Sequence, residues 1–149
     1  MLYFEDYAVG QVRHMGPYTL TREEALDFAR KYDPQPFHLD DEAAAAHPFF
    51  GRISASGWHV CAMAMRMIVD SHADAPTASL GSPGVDKVRW LKPVYPGDTL
   101  HMEVEVESVR ASRSRPEMGM VNQHYRLFNQ HGVLVMTMEG VGLFRTRPA

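Results

Sequence analysis

Asp33 and His38 stand five residues apart, with Pro34 and Pro36 between them. A carboxylate is ionised at neutral pH and becomes a stronger base when partly desolvated, while an imidazole, with a reference pKa near ~6.5, can donate or accept a proton in the working range. Such a pair is suited to moving a proton to or from a substrate or a water. A third candidate is Gly57. It opens an apolar run that reads as a helix, and the first turn of a helix carries N–H groups without partners and the positive end of the dipole, an arrangement that favours an anion. A glycine there also lets a reacting carbonyl come close to the backbone. Each residue has a plainer explanation: Asp before Pro is a common turn residue, a histidine beside proline is ordinary, and Ser56 can cap the helix without touching substrate.

These side chains are positioned by a recognisable series of elements. Thr21 followed by Glu24 forms a capping box, in which hydroxyl and carboxylate satisfy free backbone N–H groups at a helix start. Ala25, Phe28, Ala29 and Tyr32 then recur on one helical face. That helix ends near Tyr32, because Pro34 and Pro36 lack an N–H and push Asp33 and Gln35 toward extended geometry. Asp40, Asp41 and Glu42 ahead of Ala43 to Ala46 read as a second, short helix closed by His47-Pro48. Trp58 to Ser71 is apolar around most of its circumference and is expected to be buried nearly all round, with His59, Arg66 and Asp70 on the one stripe able to reach solvent.

Beyond it the period changes. Leu100, Met102, Val104 and Val106 alternate with His101, Glu103, Glu105 and Glu107, the pattern of a half-buried strand. Val85 to Leu91, Met118 to Phe128 and Val133 to Arg145 are further strands, and Tyr18 to Leu20 is a possible first one. Pro96-Gly97-Asp98 and Asn129 to Gly132 are turns, and Ala111 to Pro116 is a hairpin loop. This order predicts an α+β fold in which an antiparallel sheet wraps one long apolar helix.

The bulk numbers narrow the function. A chain of 149 residues with 45% hydrophobic content suits one domain over residues 1–149. A net charge of -3, from 15 basic and 18 acidic side chains, gives no general attraction to nucleic acid or anionic lipid. The longest apolar run is broken by His59 and Arg66 and falls short of the ~20 residues of a membrane span. The acidic N-terminus does not look like an export signal. The single Cys61 reads as a small apolar residue, and a reducing cytoplasm fits it best. The remaining histidines, His124 and His59 among them, show no ligand spacing typical of zinc, so no metal is expected. Arg66 with Asp70 is read as an ion pair.

The run Tyr32-Asp33-Pro34-Gln35-Pro36-Phe37-His38 resembles the signature of the MaoC-like hydratase/dehydratase family, Asp, any residue, Asn, Pro, an aliphatic residue, His. Ala55-Ser56-Gly57 at the start of the apolar helix and Lys87 to Asp98, with its Pro93-Val94 and Pro96-Gly97-Asp98, are similar to the same family. The resemblance implies a hotdog fold, usually dimeric, acting on enoyl or hydroxyacyl thioesters. The acyl group is carried by coenzyme A or acyl carrier protein, which is part of the substrate; no separate cofactor is implied. It also implies that Asp33 and His38 converge as catalytic residues with Gly57 polarising the thioester carbonyl, and that Gln35, Phe37, Ser56 and Trp58 contact substrate. Gln35 replaces the usual Asn and Phe37 the usual aliphatic residue, which bears on substrate identity more than on reaction type. Two other readings share the fold. A hotdog thioesterase would want a carboxylate in the central turns of the long helix, where there is none, and a noncatalytic acyl-thioester-binding protein would not need the Asp and His.

Overall fold

In the computed structural model, which describes residues 1–149, six strands form one antiparallel sheet curled around a long helix. The chain runs from a one-turn 3-10 helix at Phe4–Asp6 through β1 (Val12–Thr19), α1 (Arg22–Tyr32), α2 (Pro36–Leu39), α3 (Asp41–Ala46) and α4 (Gly57–Ser71). It ends in β2 (Ser79–Gly81), β3 (Val85–Trp90), β4 (Thr99–Ala111), β5 (Met118–Phe128) and β6 (Leu134–Arg145). No helix is long and apolar enough to cross a membrane.

The meander expected after residue 85 holds for β4, β5 and β6 only. β1 pairs with β4, while β2 and β3 share the far edge of β6, so the order is β1-β4-β5-β6 with β2 and β3 one after the other along the last strand. β1 begins well before Tyr18. Its pairing with β4 shifts between Met15 and Tyr18, where Gly16-Pro17 interrupts the alternation that would have marked the strand in the sequence. β2 is only three residues long and all exposed, too short for a periodic signal.

α4 departs from the expectation of burial all round. His59, Val60, Met63, Ala64 and Met67 enter the main core with Leu100, Met102, Val104 and Leu127 from the sheet, whereas Trp58, Met65 and Val69 are exposed. His59 lies inside and not on the solvent stripe; Arg66 and Asp70 do lie outside, ion-paired at 2.8 Å. An apolar helix with one side covered is what remains when a single curled sheet can reach only part of its circumference.

The caps are local and legible. The Thr21 hydroxyl accepts from the Glu24 N–H at 3.2 Å and an Asp40 carboxylate oxygen from the Ala43 N–H at 2.8 Å. The Glu24 carboxylate does not complete the expected box. It turns inward, accepting from the Tyr18 hydroxyl and standing 3.4 Å from His59 Nε2. Tyr32, expected on the covered face of α1, is exposed; Ala25 and Ala29 make that face.

Candidate active site

Asp33 is the C-cap of α1. Its N–H donates to the Ala29 carbonyl at 2.9 Å and its carbonyl accepts from the Gln35 N–H at 2.8 Å, so the chain reverses just where the prolines end the helix. Gln35 is extended, and Pro36 then occupies the first position of α2, where its missing N–H is harmless. This four-residue helix was not legible in the sequence. It matters because it turns His38 back over the end of α1, with the His38 N–H donating to the Gln35 carbonyl at 2.9 Å.

The two side chains therefore meet. His38 Nε2 lies 3.4 Å from Asp33 Oδ2, and both side chains are largely buried, at 5% and 16% exposure. His38 Nδ1 is 2.8 Å from the Ser54 carbonyl oxygen, which can only accept, so Nδ1 carries a hydrogen and Nε2 faces the carboxylate. The other Asp33 oxygen accepts from the Gln35 side-chain amide at 2.6 Å. Gln35 thus orients the carboxylate from the exposed side.

His38 and Gly57 line one cavity of about 430 Å3, whose wall includes Phe50, Val60, Trp90 and Lys92. Asp33 reaches it through His38. At the floor, the N–H groups of Gly57 and Trp58 donate to no protein acceptor, as expected for the first residues of a helix, whereas those of His59 and Val60 are taken by the Ser56 carbonyl. The arrangement offers two acceptors close together, able to hold and deprotonate one water, beside N–H donors suited to a developing oxyanion.

The residues expected to touch substrate divide. Phe37 packs in an aromatic group with Phe50 and His47, at ring separations of 5.3 and 4.9 Å, and braces His38 from the side instead of narrowing the cavity. Phe49 and Phe50 form that wall. Ser56 is buried at the N-cap position, yet its hydroxyl neither caps the helix nor finds any partner. Trp58 stands largely exposed, edge-on to Trp90 with ring centroids 5.4 Å apart. The need for glycine at 57 has a second cause that sequence reasoning missed: a Cβ there would lie 2.5 Å from the Trp90 indole.

Two further polar groups arise from packing between distant segments. Tyr18, Glu24 and His59 join β1, α1 and α4, with Phe28 stacked on the imidazole at 4.4 Å. Burial pushes the His59 pKa down, against the pull of Glu24, and with the Glu24 bond raises the Tyr18 phenol to about 12. On the outer sheet face Glu107, His124 and Glu139, from three adjacent strands, bring potential ligand atoms within 4.8 Å of one another. The sequence shows no zinc-like ligand spacing around His124, and these two carboxylates reach it only across strands. Sequence spacing cannot register contacts made across strands. Lys87 stands 3.4 Å from Glu139 and balances part of that charge.

An antiparallel sheet curled around a long helix is the arrangement of a hotdog domain, and comparison with solved structures agrees. A Mycobacterium tuberculosis protein described as having a double hotdog fold matches over 99% of this chain and 45% of its own, with a TM-score of 0.82 at 22% identity. The MaoC-like domain model matches residues 6–126, and the chain belongs to that family. It is 36% identical to the MaoC-like dehydratase of Rhodospirillum rubrum, with a TM-score of 0.91 and full coverage of both chains. With the R-hydratase PhaJ1 of Pseudomonas aeruginosa it shares 25% identity over 98% of this chain and 86% of that one, at a TM-score of 0.70.

Proposed function

We propose that the protein is a hydratase/dehydratase that adds water to, or removes it from, the double bond of a 2-enoyl thioester carried by coenzyme A or acyl carrier protein. The observation that carries this reading is the placement of Asp33 Oδ2 and His38 Nε2, 3.4 Å apart, beside a cavity shared with Gly57. Both atoms accept hydrogen bonds, so a water between them gives one hydrogen to each and turns a lone pair toward the β-carbon. Asp33 takes the proton as the C–O bond forms, and the thioester oxygen gathers charge at the Gly57 N–H. The carboxyl then returns a proton to the α-carbon. Dehydration is the reverse sequence, and no cofactor is required.

The working unit is a single domain paired with a second copy of itself. Exposed Trp58, Met65 and Val69 on α4 continue into Leu80, Val85 and Trp90 on the β2–β3 edge, an apolar surface beside an open strand edge. The lone Cys61 thiol suits a cytoplasmic setting.

Incubation with crotonyl and longer 2-enoyl coenzyme A thioesters tests the reading. Loss of the conjugated absorbance without release of thiol is expected. Thiol release would make the protein a thioesterase, and tight binding with neither change would make it an acyl-binding protein.

A further inference from the structure

Behind the Trp58–Trp90 pair lies a second cavity, of about 470 Å3, between α4 and the concave face of the sheet. Cys61, Met65 and Ile68 line it from the helix, and Val88, Val104 and Met138 from the strands. Trp58 borders this cavity and Trp90 the one holding His38, so the two spaces meet at the indole pair. An acyl group whose thioester sits at Gly57 has this apolar space ahead of it.

One part of the lining is not apolar. Arg13 is two residues from buried Met15 on β1 and so starts from the face of the sheet that looks toward α4. It has no carboxylate partner; the nearby Asp6 is taken by Arg147 at 2.6 Å. Gln123 and Tyr125 project from the same face of β5. Gln123 is only 6% exposed, and its carbonyl oxygen accepts from the Tyr125 hydroxyl at 3.0 Å, which leaves its amide N–H groups as donors to the cavity. Tyr7 completes the group. Burial raises its phenol pKa, and the adjoining Arg13 opposes the rise by attraction and a hydrogen bond. A guanidinium whose hydrogen-bond partner is a neutral phenol, and a carboxamide whose N–H groups are left over, are costly to hold at the wall of an apolar space without an anionic acceptor.

We infer that this cavity selects acyl groups ending in a carboxylate, held by the Arg13 guanidinium and the Gln123 amide, so that the substrate is the thioester of an unsaturated dicarboxylic acid. The inference rests on the hydratase reading and adds the class of acyl chain. Trp90 pairs with Met136 and Gln123 with Gly140, four residues along β6. Along the strand that is about 14 Å at ~3.4 Å per residue, which calls for a chain of medium length. Arginine is suited to the task because its planar fork matches a carboxylate.

The test compares two 2-enoyl coenzyme A thioesters of equal, medium chain length, one ending in methyl and one in carboxylate. The wild-type protein should favour the carboxyl-ended one in kcat/KM. Arg13→Met should lose about ten- to a hundredfold on that substrate, mostly in KM, with little change on the other. Arg13→Lys should recover part of the loss; should Arg13→Met melt early, Arg13→Gln carries the same comparison. Preference of the wild type for the methyl-ended thioester, or equal losses on both, overturns the inference. If neither is hydrated, the hydratase reading fails, and calorimetry with the two saturated thioesters decides the carboxylate site alone. Tighter binding of the carboxyl-ended form, removed by Arg13→Met, upholds it; equal binding overturns it.

Discussion

His38 Nδ1 is tied to the Ser54 carbonyl oxygen at 2.8 Å, and this one bond decides which ring nitrogen is left for chemistry. Nε2 is turned to Asp33, and a flipped ring or the neutral tautomer with its hydrogen on Nε2 would forfeit the backbone contact. Asp33→Asn and His38→Gln should each slow hydration by on the order of 10² to 10⁴-fold. The double variant should be scarcely worse than the poorer single one, since both act on the same water. Steady-state rates on variants shown to fold by circular dichroism check this; near-normal rates in both singles would remove these residues from the mechanism.

Gln35 donates to the Asp33 oxygen that does not face His38. Gln35→Met keeps the length and removes the donor, and should lower kcat several-fold to about tenfold with little effect on KM, the size of one partly exposed charge-assisted hydrogen bond. A change confined to KM would instead make Gln35 a substrate contact.

Gly57→Ala should destabilise the fold as well as impair turnover, because the added methyl meets the Trp90 ring before it meets any substrate. Sequence reasoning alone would assign the whole effect to blocked approach of the thioester. Trp90→Leu in the same chain should restore much of the melting temperature. Persistence of the full loss in the double variant would place the strain elsewhere.

The buried His59 should make stability sensitive to acid. Its pKa is depressed by burial, so between the unfolded value near ~6.5 and the lower folded value the unfolded chain binds more protons, and stability falls as pH drops through that window. Tyr18 and Glu24 face it from β1 and α1, and Arg66 lies farther along α4. Melting curves from pH 7.5 to 5 should show the decline, and His59→Phe should flatten it. An unchanged slope would assign the sensitivity to other groups.

Met65→Glu with Val69→Glu places charge on the exposed apolar face of α4. Sedimentation should show a wild-type dimer at micromolar concentration and a monomeric variant. A wild-type monomer would count against the paired assembly.

The elements that could be read from the sequence are those whose signal is periodic or local. β4 announced itself through strict alternation, β5 through its length and flanking turns, and α1 through Thr21. β1 was concealed by Gly16-Pro17 in its middle, and β2 and α2 were too short for any period. Within the site, the motif spacing pointed to Asp33 and His38, but their meeting depends on the turn made by α2. The placements of Ser54, Trp90, Arg13 and Glu24 come from contacts between segments far apart in the chain, which no local pattern records.

The close approach of Gly57 to Trp90 also bears on how this sequence is free to drift. A residue with a side chain at 57 and an indole at 90 cannot occupy the same backbone without displacement, so position 57 cannot gain a side chain by itself, whereas position 90 can shrink while the glycine stays. Among chains of this shape, those that give up the glycine should carry a smaller residue at the strand position. The constraint is steric and acts whatever the acyl group, so it should link the two positions even in relatives whose chemistry has diverged.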